Sequence, residues 1–153
     1  MSEIIRQLFE DSPEDPRERL EKLTTAMMSL PETYEPALSH YRADGLYGRR
    51  IYVPAGMCVA TRVHLEEHIT VALKGKCLVV DQDGTKGEVN APAVFVTQPG
   101  TQRACLAITD VEWLTVHAAE IDDVDRAEDL LTCRTYKDFL KVQHDTQSQL
   151  EAL

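Results

Sequence analysis

The segment His64-Leu65-Glu66-Glu67-His68 holds the residue types and spacing best suited to chemistry. Side chains two apart along a strand share a face, so Arg62 and His64 look the same way. A turn over Leu65-Glu66-Glu67 starts the next strand and returns His68 to that side. Two imidazoles then approach one point. Two are too few for a metal centre, because a catalytic zinc keeps three protein ligands and a water. His117 is the best third donor, since it ends a run in which Trp113, Thr115 and His117 alternate with Leu114 and Val116. His40, ahead of the first strand in Ser39-His40-Tyr41, is an alternative, and Glu66 is another. Imidazole-rich sets suit Zn²⁺, Ni²⁺, Fe²⁺ or Cu²⁺, and residue types alone do not separate them. The same imidazoles also serve as plain hydrogen-bonding residues, so a metal is one of two readings.

Short β-rich runs position these residues: 49–53, 58–64, 69–73, 77–81, 87–90, 94–96, 103–108 and 113–117. Pro54-Ala55-Gly56, Lys74-Gly75-Lys76, Asp81-Gln82-Asp83-Gly84 and Pro99-Gly100 punctuate them. Eight short strands in so few residues predict a closed jelly-roll barrel. Helices flank it. Ser12-Pro13-Glu14-Asp15 reads as a helix start, with a serine cap and proline just inside. Leu20, Leu23, Met27 and Leu30 follow at helical spacing, and Pro31 ends the run. Ser2 to Phe9 suits a shorter helix. Residues 122–131 and 135–153 read as C-terminal helices. The division is a helical arm over 1–39, a barrel over 40–120 and helices over 121–153, one domain overall.

Composition narrows the functions. Residues 1–35 hold nine acids and four bases, residues 120–153 the same, and 36–119 eight of each. The net charge of −10 therefore belongs to the two arms. Such a surface repels phosphate backbones, which argues against nucleic acid. No apolar run approaches the ~18 residues of a membrane span. No signal peptide is visible, so the expected location is cytoplasmic. Cys58, Cys77, Cys105 and Cys133 form no CxxC pair and read as small buried apolar residues.

The spacing Gly56-x5-Arg62-x-His64-x3-His68-x6-Gly75 resembles the first sequence motif of the cupin superfamily, G-x5-H-x-H-x3-E-x6-G. Arg62 stands at the first His of that pattern and His68 at its Glu. The second cupin motif, G-x5-P-x-G-x2-H-x3-N, survives only in part. Gly100 keeps its central glycine, Arg103 occupies its His and Ala107 its Asn. Residues 44–56, 91–103 and 113–117 further resemble small single-domain cupins often encoded by bacteriophages. The resemblance implies an RmlC-like jelly roll with helical extensions, a dimer joined through helices with apolar stripes, and a shared cavity for His64, His68 and His117.

The departures carry their own implication. Arginine does not ligate a metal, because it keeps its proton. Arg62 and Arg103, facing inward, make a positive floor for a carboxylate or phosphate, with Glu66 as a further contact. The expected function is a small-molecule-binding cupin for an anionic ligand. Any enzymatic role would use the metal as a Lewis acid, in isomerase or dioxygenase style. Two alternatives remain. One is a non-catalytic phage accessory protein that binds a host protein or a host nucleotide signal (its location then the host cytoplasm). The other is an assembly protein whose barrel is only a scaffold.

Overall fold

The computed structural model describes residues 3–30 and 35–153. The chain is mainly β, a jelly-roll barrel with helices at both ends. Two helices come first, α1 (Glu3–Leu8) and α2 (Pro16–Met28). The cap of α2 is Asp15, not Ser12. The carboxylate of Asp15 accepts from the amides of Arg17 and Glu18, and Pro16 fills the first helical position. A capping residue followed by proline occurs twice here, and the second copy abuts the apolar repeat. Pro31 and Ser2 lie outside the described residues.

The strands are β1 (Ala37–Ala43), β2 (Leu46–Val53), β3 (Cys58–Ala60), β4 (Val63–His64), β5 (His68–Lys74), β6 (Lys76–Asp81), β7 (Lys86–Asn90), β8 (Ala93–Thr97), β9 (Arg103–Ala107) and β10 (Val111–His117). Then come a 3₁₀ turn at Val124–Arg126, α3 (Ala127–Leu131), β11 (Thr132–Cys133) and α4 (Tyr136–Glu151). One sheet runs β1-β2-β10-β5-β8 and the other β3-β9-β6-β7, with a small β11-β4 pair beside them.

Two strands depart from the sequence pattern. The first expected strand was the one at 49–53, but β1 precedes it and pairs along its whole length with β2, Tyr41 opposite Gly48. The run 58–64 is split into β3 and β4, and β4 pairs with β11 from the C-terminal segment, His64 opposite Thr132.

Three apolar clusters hold the fold. Leu8, Leu20 and Leu23 of the first helices close over Val80 and Ala104, covering the outside of the four-stranded sheet. Val53, Cys77, Ala107 and Val111 fill the barrel interior on one side. Tyr47, Ile121, Ala127 and Leu131 bring the C-terminal segment against the barrel. Arg17 ties the two ends together. It lies 3.9 Å over the Tyr136 ring and donates to the Gly100 carbonyl at 2.9 Å. No helix among the described residues is long and apolar enough to cross a membrane.

Candidate functional site

Alternation places the site. On β2, Tyr47, Arg49 and Ile51 share one face. On β10 it is Trp113, Thr115 and His117, and on β5 it is His68, Thr70 and Ala72. The pairing β2-β10-β5-β8 brings these faces side by side, with Thr70 opposite Phe95 and Thr115 opposite Thr70. They line a cavity of about 610 Å³ that also takes in His64 and Arg103. Met27 and Leu38 line it too, so α2 and β1 contribute to its walls.

The three histidines meet here. The rings of His64 and His68 are 4.7 Å apart by centroid, and those of His68 and His117 are 4.2 Å apart. Each has a buried nitrogen without a hydrogen-bond partner: His64 Nδ1, His68 Nε2 and His117 Nδ1. Two of the three are bare lone pairs. His68 Nδ1 is 3.0 Å from the Glu66 carbonyl, which can only accept, so Nδ1 carries the hydrogen. His117 Nε2 is 3.0 Å from Thr115 Oγ1, whose own hydrogen goes to the Arg49 carbonyl. No protein group among the described residues meets these nitrogens and all three rings line the cavity, so they are available to whatever enters it.

The electrostatics keep them neutral. Burial, then the neighbouring His68, Arg103, His117 and Arg49, pulls His64 down to about 3. Burial, His68 and Arg49 pull His117 down to about 4. Burial lowers His68 as well, against the Glu66 carbonyl bond that raises it. Desolvation of the charged form is the leading cause in all three. Neutral imidazole is the form that binds a metal or accepts a hydrogen bond. The rings lean on one another rather than converging. Among the described residues no three His, Cys, Asp or Glu stand arranged as a group able to hold a metal ion.

The arginines divide. Arg103 is inward, its Nη1 donating to Thr97 Oγ1 at 3.1 Å and its guanidinium 5.3 Å from the Phe95 ring. Burial pulls it below its ordinary value, but a guanidinium stays charged. Asp81, opposite it in register, spends Oδ1 on the turn amides of Asp83 and Thr85. Arg62 also borders the cavity but is neutralised by Asp129 at 2.7 Å. The two guanidiniums thus do not form a shared free pair. Arg62 pairs with Asp129 of α3, not with a barrel carboxylate. Arg49 lines the cavity as well, and it makes no ion pair among the described residues. Sequence reasoning missed it, although its position between Tyr47 and Ile51 on an alternating run was the available signal.

Two further residues fall outside. Glu66 is exposed and absent from the cavity lining, contributing only its carbonyl. His40 is exposed, and its Nδ1 sits 2.6 Å from the hydroxyl of buried Tyr47. The described cysteines are free thiols. Burial raises Cys58 and Cys77 to about 11 and pushes Cys105 up further, which keeps these thiols protonated.

No family model matches the chain. No curated protein matches it either. Solved structures do resemble it in shape. A cupin superfamily protein from Desulfitobacterium hafniense DCB-2 is 12% identical, with a TM-score of 0.49 over 72% of this chain and 94% of that one. An RmlC-like cupin family protein with a double-stranded β-helix fold from Methanocaldococcus jannaschii is 11% identical, TM-score 0.48, over 58% and 84%. A predicted oxalate decarboxylase from Thermotoga maritima is 22% identical, TM-score 0.47, over 55% and 80%.

Proposed function

We propose that this chain is a cupin-type binding barrel whose ligand is a small anionic molecule, received by Arg103 and Arg49 against a wall of neutral imidazoles. The observation that carries this is the set of three buried nitrogens on His64, His68 and His117 that no protein group meets, beside two guanidiniums that make no ion pair among the described residues. An anion supplies the missing negative charge. In a desolvated cavity the fork of a guanidinium grips a carboxylate or phosphate through charge-assisted hydrogen bonds. Trp113 and Ile51 give the apolar part of the wall.

The imidazole set also fits a divalent transition metal in donor type. His64, His68 and His117 would hold it, and the Glu66 carbonyl and Thr115 hydroxyl already fix two of the rings in the ligating tautomer. Bound there, such an ion supplies a Lewis acid. Arg103 and Arg49 then orient the ligand's anionic end. A second reading rests on the rings packing together instead of converging: the imidazoles accept hydrogen bonds from the ligand itself, with no metal.

Two measurements test this. Protein purified without a histidine tag is titrated with Zn²⁺, Ni²⁺, Fe²⁺ and Cu²⁺. The metal reading expects about one equivalent per chain, falling below about a tenth in His68→Ala. No uptake by the parent protein leaves the metal-free reading. In the second, phosphate, dicarboxylates, sugar phosphates and nucleotides are screened by thermal shift. A ligand at a hundred times its Kd adds about 2.7 kcal/mol, a rise of roughly 5–10 °C for a chain of this size. Arg103→Gln and Arg49→Gln are each expected to abolish that rise. If no anion stabilises the protein, or both variants respond as the parent does, the anion pocket is wrong.

A further inference from the structure

The cavity is polar at one end and apolar at the other. Strand register lays its wall down in bands across the five-stranded sheet. His117 and His68 make the first, their rings 4.2 Å apart. Arg49, Thr115 and Thr70 make the second, with Phe95 at its far side. Ile51, Trp113 and Ala72 make the third. Beyond it Val53, Cys77, Ala107 and Val111 close the barrel, and Ile51, Trp113 and Met57 pack on them. Leu38 of β1 stands opposite Ile51 and carries the apolar surface outward to a mouth that Met27 and Met28 of α2 also line. The side-chain oxygens at this end are those of Thr24 and Glu35. Thr24 spends its hydroxyl on the Leu20 carbonyl at 2.9 Å, and Glu35 is exposed.

We propose that the ligand is an amphipathic monoanion, a carboxylate on an extended aliphatic body. This narrows the anion reading above and rests on it. The head lies between Arg103, Arg49 and the imidazoles, and the body runs past Ile51 and Trp113 to the mouth at Leu38 and Met27. Volume favours such a body. A carboxylate replaces only a few waters, on the order of 100 Å³ at about 30 Å³ each. The cavity holds about 610 Å³, within the range that takes up drug-sized molecules. From His117 to Trp113 the wall already spans about 14 Å, at about 3.4 Å per residue, so the body is long rather than round. Small polyanions reach the head end and leave the apolar length wet. The chemistry of the wall points the same way. A row of hydroxyls laid along Ile51, Ala72 and Met57 would give up its water without gaining hydrogen bonds. A second negative charge at the mouth would face Glu35. The methionines suit an aliphatic guest, because an unbranched thioether side chain adapts its shape to what it covers.

The test is a chain-length series of butanoate, hexanoate, octanoate and decanoate. Each is titrated by calorimetry below micelle-forming concentrations, with chelator and again with Zn²⁺. Kd is expected to fall about threefold for each added methylene, or roughly several hundredfold over the series. Decanol, which lacks the charge, is expected to bind at least about tenfold more weakly than decanoate. Arg103→Gln weakens every acid by a common factor. Leu38→Gln instead weakens decanoate at least about fivefold more than it weakens butanoate. Leu38 is 40% exposed on an edge strand, so that variant keeps its fold. A Kd that ignores chain length, with the short acids still bound and still loosened by Arg103→Gln, overturns the amphipathic ligand and leaves the anion pocket standing. Decanol binding as tightly as decanoate, with Arg103→Gln changing neither, overturns both, since the cavity then takes apolar molecules whatever their charge. Failure of every acid to bind overturns the amphipathic ligand, and the thermal-shift screen of small anions then decides the pocket separately.

Discussion

Gly75→Ala is expected to cost at least about 3 kcal/mol, and Gly56→Ala only about 1, although both glycines adopt left-handed backbone and both frame the same motif. The difference is space. Gly75, between β5 and β6, has φ +87°, and a Cβ there would stand 2.0 Å from the Asp110 carbonyl oxygen and 2.9 Å from Thr109 Oγ1. Those neighbours are pinned. The amide of Ile108 donates to the Lys76 carbonyl at 2.9 Å, and the amide of Lys76 donates to Thr109 Oγ1 at 3.0 Å. The Gly75 carbonyl accepts from Ala91 at 2.9 Å, so the turn cannot back away without losing that bond. Gly56 has φ +85°, but nothing lies within 4 Å of its absent Cβ. It carries conformational strain alone. The thermal midpoint is the readout, with Gly75→Ala falling roughly 6–12 °C and Gly56→Ala about 2–4 °C. Equal losses would show that strain, not close approach, governs both turns.

The same motif marks what a single sequence can reveal. Its glycines and its alternation are local properties, and they placed the turns and most strands. His68 and His117 share a wall because period-two alternation fixes which side chains face in, and because β10 pairs with β5 so that Val116 lies opposite Ile69, while His64 comes in from β4, which pairs with β11. What was not legible depended on distant partners. Arg62 pairs with Asp129, 67 residues away on a helix whose placement no local pattern gives. The strand β1 is an exposed edge, so it lacks the buried alternation that announces a strand. Arg49 was passed over, although alternation along β2 alone turns it to the face opposite Arg50, which is taken up by Glu112. The apolar outer face of the five-stranded sheet was in the sequence all along, as Ile69 and Val71 alternating with His68 and Thr70, and Val96 preceding Thr97. Polar and apolar alternate equally well whichever side is the inside, so the pattern alone does not say which face meets water.

Acid is expected to unfold this protein through its imidazoles, well above the pH at which carboxylates titrate. In the unfolded chain His64 and His117 return to about 6.5. In the folded chain they are held down to about 3 and about 4. Between these values the unfolded chain binds protons that the folded chain refuses, so stability is full above about pH 6.5 and falls as pH falls toward 4. At pH 5 each of the two costs about 2 kcal/mol, and His68 adds loss in the same direction. Together that is on the order of the whole stability of a small domain. The carboxylates act elsewhere. Asp11, Asp110, Asp129, Glu3 and Glu88 are held below their ordinary range by their partners, so their contributions are lost only beneath about pH 4.5. The window from 6.5 to 4.5 belongs to the histidines. Urea unfolding of chelator-treated protein at stepped pH measures the slope, up to about 1.4 kcal/mol per pH unit for each imidazole. The variant His64→Gln/His117→Gln is expected to flatten it by about two such increments, even if its stability at pH 7 is lower. A parent protein equally stable at pH 7 and pH 5, or a variant with the parent's slope, would mean that the three rings already share a proton or reach water. The neutral wall on which ligand binding depends would then be absent.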